Sequence, residues 1–332
     1  MKMILNMKRL AFWCVLLCCA LPAHAIIVTV DSDPASRVIP GSNDFFGALS
    51  LSGVVMVTTT HGSCSGSLIG DFTVLTAGHC VGPAFGAGFY NSPHVTFLPK
   101  TNTGGLSGGL DVLGVSSIAV DPSWNGDPTL GNDLAVIHLS QAAPSYATRY
   151  SLYTGMELPT TSPLVLAGFG LTGTGATGEL GNFGYLEAGT NEYATTGVNP
   201  LFGWSSNLLI GQFYDVHTPS TNALNLLNPY HSIDEVMIAH GDSGGPTFYN
   251  GQIIGVHDLA ICLSPSNDEP CWVPPSISTS LRSFYGQLWA DVSVAGNAAF
   301  IDSQLAPEPG SAVLIMLGLS LAGWRRLRSR RN

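Results

Sequence analysis

Apolar residues come in short bursts along this chain. Val54 to Thr60, Phe72 to Thr76, Val112 to Val120, Leu134 to Leu139, Leu164 to Ala167 and Gln252 to Val256 are β-rich runs set between clusters of Gly, Pro, Asn and Ser. Runs this short, with turn residues at both ends, read as strands. Helical spacing is scarce. Many short strands with turn signals predict an all-β sandwich or barrel. The stretch 171 to 235 breaks the pattern: it is rich in Gly, Thr and Asn, alternates weakly, and predicts long loops on a β scaffold. No internal repeat stands out. Between the two ends lie about 270 residues, enough for one large domain or two packed halves.

The ends follow different rules. Residues 1–25 read as a signal peptide: Lys2, Lys8 and Arg9 are positive, Leu10 to Leu21 is apolar, and Ala23-His24-Ala25 is a small-x-small cleavage site. Export is expected, with Ile26 as the first residue after cleavage. At the other end, Ala306-Pro307-Glu308-Pro309-Gly310-Ser311 leads into an apolar run from Ala312 to Gly323 and then Trp324-Arg325-Arg326-Leu327-Arg328-Ser329-Arg330-Arg331. A proline-stiffened spacer, a short hydrophobic helix and a basic stop fit transient anchoring in a membrane with the arginines on the cytoplasmic side. This end, 306–332, resembles the PEP-CTERM sorting signal of Gram-negative bacteria. The resemblance implies an exosortase-type sorting enzyme as partner, transient anchoring in the inner membrane, and delivery to the periplasm, cell surface or medium.

Without these ends the charge balance changes. Of the 12 Lys and Arg, only Arg37, Lys100, Arg149 and Arg282 lie between 26 and 306, against 21 of the 22 acids, leaving a net of −17. A body this acidic, without clustered cations, argues against nucleic acid as partner. Of seven cysteines, Cys14, Cys18 and Cys19 fall in the leader, and Cys64, Cys80, Cys262 and Cys271 remain. An even set in an exported chain reads as disulfides, and four cysteines allow three pairings. Nearest-neighbour pairing, Cys64–Cys80 and Cys262–Cys271, is the expectation. A zinc site is the alternative, disfavoured because no Cys-x-x-Cys pair is present. No cofactor or metal is expected.

Three stretches carry candidate chemistry. Phe72-Thr73-Val74-Leu75-Thr76-Ala77-Gly78-His79-Cys80 ends a strand at a histidine, and a bridge from Cys80 to Cys64 in Cys64-Ser65-Gly66-Ser67-Leu68-Ile69 would pin that histidine's backbone. Asn132-Asp133 opens the apolar run to Leu139, so Asp133 is expected to be partly buried and in need of a partner such as an imidazole N–H. His138, inside that run, is expected to be a packing residue. In Gly241-Asp242-Ser243-Gly244-Gly245-Pro246 the glycines permit conformations that aim the N–H groups of Gly241 and Ser243 at one point. A base, an orienting acid and a serine beside N–H donors are the parts that acyl transfer needs.

Together, Cys-Ser-Gly-Ser-Leu-Ile, Thr-Ala-Gly-His-Cys, Asn-Asp-Leu-Ala-Val-Ile and Gly-Asp-Ser-Gly-Gly-Pro, in that order, resemble the signatures of chymotrypsin-like (trypsin-fold) serine proteases, over roughly 38–300. Gly168-Phe169-Gly170 resembles a further loop signature. The resemblance implies two packed six-stranded antiparallel β-barrels within a domain at 38–305, with His79 as general base, Asp133 orienting it, Ser243 as nucleophile, and Gly241 and Ser243 N–H as oxyanion hole. It implies an exported serine endopeptidase acting on proteins or peptides. A catalytically silent surface or biofilm-matrix binding protein on the same fold is the rival reading.

The resemblance also implies activation by a freed amine that pairs with Asp242. Arg37-Val38-Ile39-Pro40-Gly41 is similar to an activation junction, making 26–37 a short propeptide and Val38 the new terminus. Pro40 stands where the family usually has glycine. Met237 takes the family's pocket-floor position, with Ile238 beside it and His240 next to the oxyanion turn. With no carboxylate at that floor, an apolar rather than basic P1 side chain is expected. Ala239 replaces a cysteine common in the family. His257 and Asp258 are expected to line the cleft without taking part in chemistry.

Overall fold

The computed structural model describes residues 26–28, 45–84, 86–99, 109–155, 157–159, 163–213, 215, 235–261 and 283–305. The chain is almost entirely β. β1 (Ile26–Val28) stands alone in sequence, and β2 (Phe45–Phe46) and β3 (Leu49–Ser50) form a small hairpin. β4 (Val54–Thr59), β5 (Gly62–Gly70), β6 (Thr73–Thr76), β7 (His94–Phe97), β8 (Asp111–Val120) and β9 (Ala135–Leu139) close into a six-strand barrel in the order β4-β5-β6-β9-β8-β7.

Period-2 alternation explains why this barrel closes where it does. In β4, Val55 and Val57 face the barrel's own core with Leu68, Val74, Val95 and Ile137. Their neighbours Val54 and Met56 face the other way, into a second cluster with Leu75, Val136, Ala167, Phe169, Phe248 and Val256. Successive side chains in a strand point to opposite faces. Strands that are apolar on both faces therefore build a barrel interior and a seam at once. Each fully buried Val or Leu contributes about 1.5–3 kcal/mol to holding the two halves together.

The second half contains β10 (Leu164–Gly168), β11 (Leu171–Thr174), β12 (Gly178–Phe183), β13 (Glu187–Asn191), β14 (Tyr193–Thr196), β15 (Leu208–Phe213), β16 (Val236–Met237), β17 (Pro246–Tyr249), β18 (Gln252–Ile261) and β19 (Gln287–Ser293). Seven of these curl into one sheet, β13-β10-β17-β18-β19-β15-β14, and β12-β11-β1-β16 make a four-stranded sheet. The all-β architecture of two packed halves is as expected, and among the described residues the second half is a curled half-barrel sheet beside the closed six-strand barrel. The long-loop reading of 171 to 235 is corrected, because five strands, β11 to β15, lie within 171–213. Their Thr, Gly and Asn content hid them. Asn191, for example, is buried and spends its amide on the carbonyls of Gln212 and Val236, so a polar side chain does the work of an apolar one.

α1 (Ala298–Leu305) closes the described chain, and Gln304 on it lies 3.5 Å from His138, in keeping with a packing role for that histidine. Among the described residues no helix is long and apolar enough to cross a membrane. The signal peptide, the 26–37 propeptide apart from β1, and the 306–332 sorting segment lie outside the described residues.

Candidate active site

Thr73–Thr76 is a short, fully buried strand, and its end delivers Gly78–Cys80 as one turn of 3-10 helix. The Cys64–Cys80 disulfide forms as expected and ties that turn to β5. A loop of 16 residues closed in this way contributes about 3 kcal/mol in the chain-entropy account. Cys262 and Cys271 lie outside the described residues.

The turn places His79 against Asp133. The imidazole Nδ1 lies 2.5 Å from Asp133 Oδ2, and the His79 backbone N–H donates to Oδ1 at 2.7 Å. Asp133 therefore grips both the ring and the backbone of one residue. Gly78 leaves the room for this, since a Cβ there would sit 2.8 Å from Asp133 Oδ1. The His79 side chain keeps 36% of its surface exposed while that of Asp133 keeps 1%. Burial pulls the His79 pKa down, but the charge and hydrogen bond of Asp133 outweigh it, and the net shift is upward from the ordinary 6.5.

Ser243 reaches the same place from the other half. Its carbonyl accepts from Ser65 N–H at 2.8 Å, and Cys80 Sγ lies 3.5 Å from that carbonyl and 3.8 Å from His79 Nε2. His79 and Ser243 line one cavity of about 200 Å³, together with Glu179, Ile238, Ala239, His240, Asp258, Leu259 and Ala260. Gly241 and Gly244, with φ of +96° and +80°, set the turn around the serine. No described residue accepts from the N–H of Gly241 or Ser243.

Residues 39–200 match the Trypsin family. This stretch is a trypsin-family domain. The match takes in His79 and Asp133 and ends before Ser243, which the fold brings to the shared cavity.

Beyond the matched stretch, the turn that carries Ser243 also carries Asp242. That carboxylate is fully buried, accepting from Gly170 N–H on Oδ1 and Ala239 N–H on Oδ2, both at 2.8 Å. Glycine is needed at 168 and 170, where a Cβ would lie 2.2 and 2.7 Å from Asp242 atoms. Burial pushes Asp242 up to about 6, against the pull of His257 and these hydrogen bonds. Beside it runs β1. Ile27 is in register with Met237 and Gly173, and Ile26 with Thr172. Stepping back along β1 therefore moves, in both ladders, toward Ala239 and Gly170, the two residues that hold Asp242. Val38 lies outside the described residues.

Met237 is buried and paired to β1, while Ile238 and His240 line the cavity with His79 and Ser243. Acids line the cavity too, supplied from elsewhere in the chain. Glu179 on β12 accepts from the His240 backbone N–H at 3.0 Å and from Ser283 Oγ at 3.1 Å, and lies 2.6 Å from His240 Nδ1. Burial pushes Glu179 up, yet the His240 contacts and Ser283 leave it below its ordinary value. Glu179 escaped notice because it sits in the Gly- and Thr-rich stretch read as loop, 61 residues from its partner.

Proposed function

We propose that this protein is an exported serine endopeptidase. Ser243 attacks the peptide carbonyl, His79 takes the hydroxyl proton and returns it to the leaving amine, and Asp133 holds the imidazole tautomer. The N–H groups of Gly241 and Ser243 stabilise the oxyanion, and water then cleaves the acyl-enzyme by the same route. The observation that carries this reading is the His79–Asp133 pair opening onto the cavity that Ser243 lines. A trypsin-family domain supports a chymotrypsin-type serine protease and so protein or peptide substrates. The P1 preference is apolar: Ile238, Ala239, Leu259 and Ala260 line a space for a small to medium side chain, and Glu179 is engaged by His240 and Ser283.

The disulfide favours an oxidising compartment, and the two terminal segments fit export followed by sorting through an exosortase-type enzyme. The register of β1 favours Ile26 over Val38 as the residue whose amine meets Asp242. Removal of the leader after Ala25 would then suffice to complete the site.

A fluorophosphonate probe tests both points on one sample. Mass mapping should place the adduct on Ser243 and the N-terminus of the labelled protein at Ile26. No labelling of folded protein would favour the silent binding protein, and a labelled species starting at Val38 would restore the propeptide reading.

The rate should follow the ionisation of His79. A general base must be neutral, so kcat/KM on an uncharged peptide substrate falls as pH drops through the His79 pKa, with a midpoint above 6.5 because that pKa is raised. The stability contribution runs the other way: favourable protonation in the folded state is fully present below 6.5 and fades as pH rises through the raised value. A rate that stays flat from about pH 5 to 8 would remove His79 from the role of base.

A further inference from the structure

Behind the imidazole, two acids meet. Asp258 sits where the ladder between β18 and β19 slips: His257 pairs with Asp291 and Leu259 with Ala290, leaving Asp258 as the extra residue of a bulge. Bulges re-aim a side chain that regular pleating would place elsewhere. Here the Asp258 carboxyl comes to the seam, where one polar atom each from His79, Asp133 and Asp258 lies within 4.8 Å of the others. Asp258 is 6% exposed and Asp133 fully buried, and Asp258 Oδ2 has no hydrogen-bond partner among the described residues. Asp133 is already an acceptor on both oxygens.

Two buried carboxylates at this spacing do not both ionise without a compensating cation. Among the four cations of the body only Arg149 is described, and it is bound to Asp71. The groups that face Asp258 are Asp133 and His79 across the seam, Asp291 on β19, and Glu179 and His240 around the cavity. Asp291 pairs with His257, and Glu179 with His240.

We propose that Asp258 is a positioning residue for the reaction, its carboxyl kept protonated and donating a hydrogen bond to Asp133. The inference rests on the reading of His79, Asp133 and Ser243 given above. Burial, the charge and hydrogen bonding of Asp133 and the charge of Asp291 all hold the Asp258 pKa well above the usual carboxylate range. The pair then carries one negative charge. Asp133 is fixed by a third hydrogen bond with Oδ2 aimed at the imidazole, and His79 is raised by one carboxylate, not two. The shared proton stays between the acids throughout. The proton that moves is the one from Ser243, to His79 and then to the leaving amine.

The test uses the full chain with Asp258→Asn and Asp258→Ala. Titration of His79 by NMR on isotopically labelled histidine reads the charge directly, without turnover. Asn keeps the donor and the single charge, so the His79 pKa should stay within about 0.3 unit of the parent. Were Asp258 ionised, Asn would remove a charge and lower that pKa by about one unit or more, which would overturn the proposal. In turnover, the Ala variant should lose kcat with little change in KM, and the Asn variant should keep about tenfold more kcat than Ala. Equal losses in the two variants would leave Asp258 a packing residue only. If the Ala variant fails to fold, the Asn titration alone decides. Lack of fluorophosphonate labelling in the parent would sink the proposed function and still leave the titration to settle whether Asp258 is neutral.

Discussion

Replacing Ser243 by alanine is expected to lower kcat by on the order of 10⁵–10⁶-fold while leaving KM within a few-fold and the fold intact. The structural contacts of this residue run through its backbone, since its carbonyl takes the Ser65 N–H across the seam. The residue lines the cavity beside His79. Removing the hydroxyl would take away the proposed nucleophile and leave the N–H groups of Gly241 and Ser243 in place, so residual catalysis above the uncatalysed rate should persist. Combining Ser243→Ala with His79→Ala should cost little beyond the single change, because base and nucleophile act as a unit. Steady-state kinetics on a peptide amide checks this. A Ser243→Ala protein keeping more than about 1% of parental kcat would move the nucleophile elsewhere.

The second large effect is expected at Gly244. Its φ is +80°, and a Cβ there would lie 2.1 Å from Thr76 Oγ1, 2.5 Å from the Ser65 carbonyl oxygen and 2.8 Å from Ala77 N. Two of those three atoms are backbone, so no side chain can swing aside to make room. They also belong to the strands that deliver His79 and its disulfide. Gly244→Ala should destabilise the protein by about 2–4 kcal/mol, combining a strained backbone with a clash in a packed seam. Activity should fall steeply even in the molecules that remain folded, because the turn carrying Ser243 must move away from β5 and β6. Gly251 is the control: its φ is +78°, but a Cβ there meets nothing within 4 Å. Gly251→Ala should cost only the backbone strain, about 1 kcal/mol. Denaturant unfolding of the two variants separates crowding from strain, and equal losses would show that the seam has slack at Gly244.

What the sequence made legible divides along the same seam. Four of the six barrel strands were readable from their apolar runs: the run predicted at Val54 to Thr60 is a strand at Val54–Thr59, and Leu134 to Leu139 is one at Ala135–Leu139. Gly62–Gly70, rich in Gly and Ser, and the short His94–Phe97 carry no such run and went unread. His79, Asp133 and Ser243 stood out because each sits in a short motif, and the fold sets His79 against Asp133 and brings His79 and Ser243 to one cavity. The second half concealed itself where buried polar groups replace apolar ones. Glu179 is satisfied by His240, and Asn191 by Gln212 and Val236, partners that no local window contains. Asp258 was visible beside the cleft, but its link to Asp133 depends on one slipped residue in a ladder with β19. Met237 was expected at a pocket floor from its position in a motif; in the fold it is buried and pairs with Ile27 of β1, a contact that no local window contains.

The margins of the seven-stranded sheet are β13 and β14, and a single residue, Glu192, joins them. A sheet whose first and last strands are consecutive in the chain has its open side guarded by its own covalent continuity. Unpaired strand margins are templates for a neighbour's backbone and a common start of aggregation. By bringing both margins to one tight corner, this half avoids offering a long flat ribbon to other copies without completing a barrel.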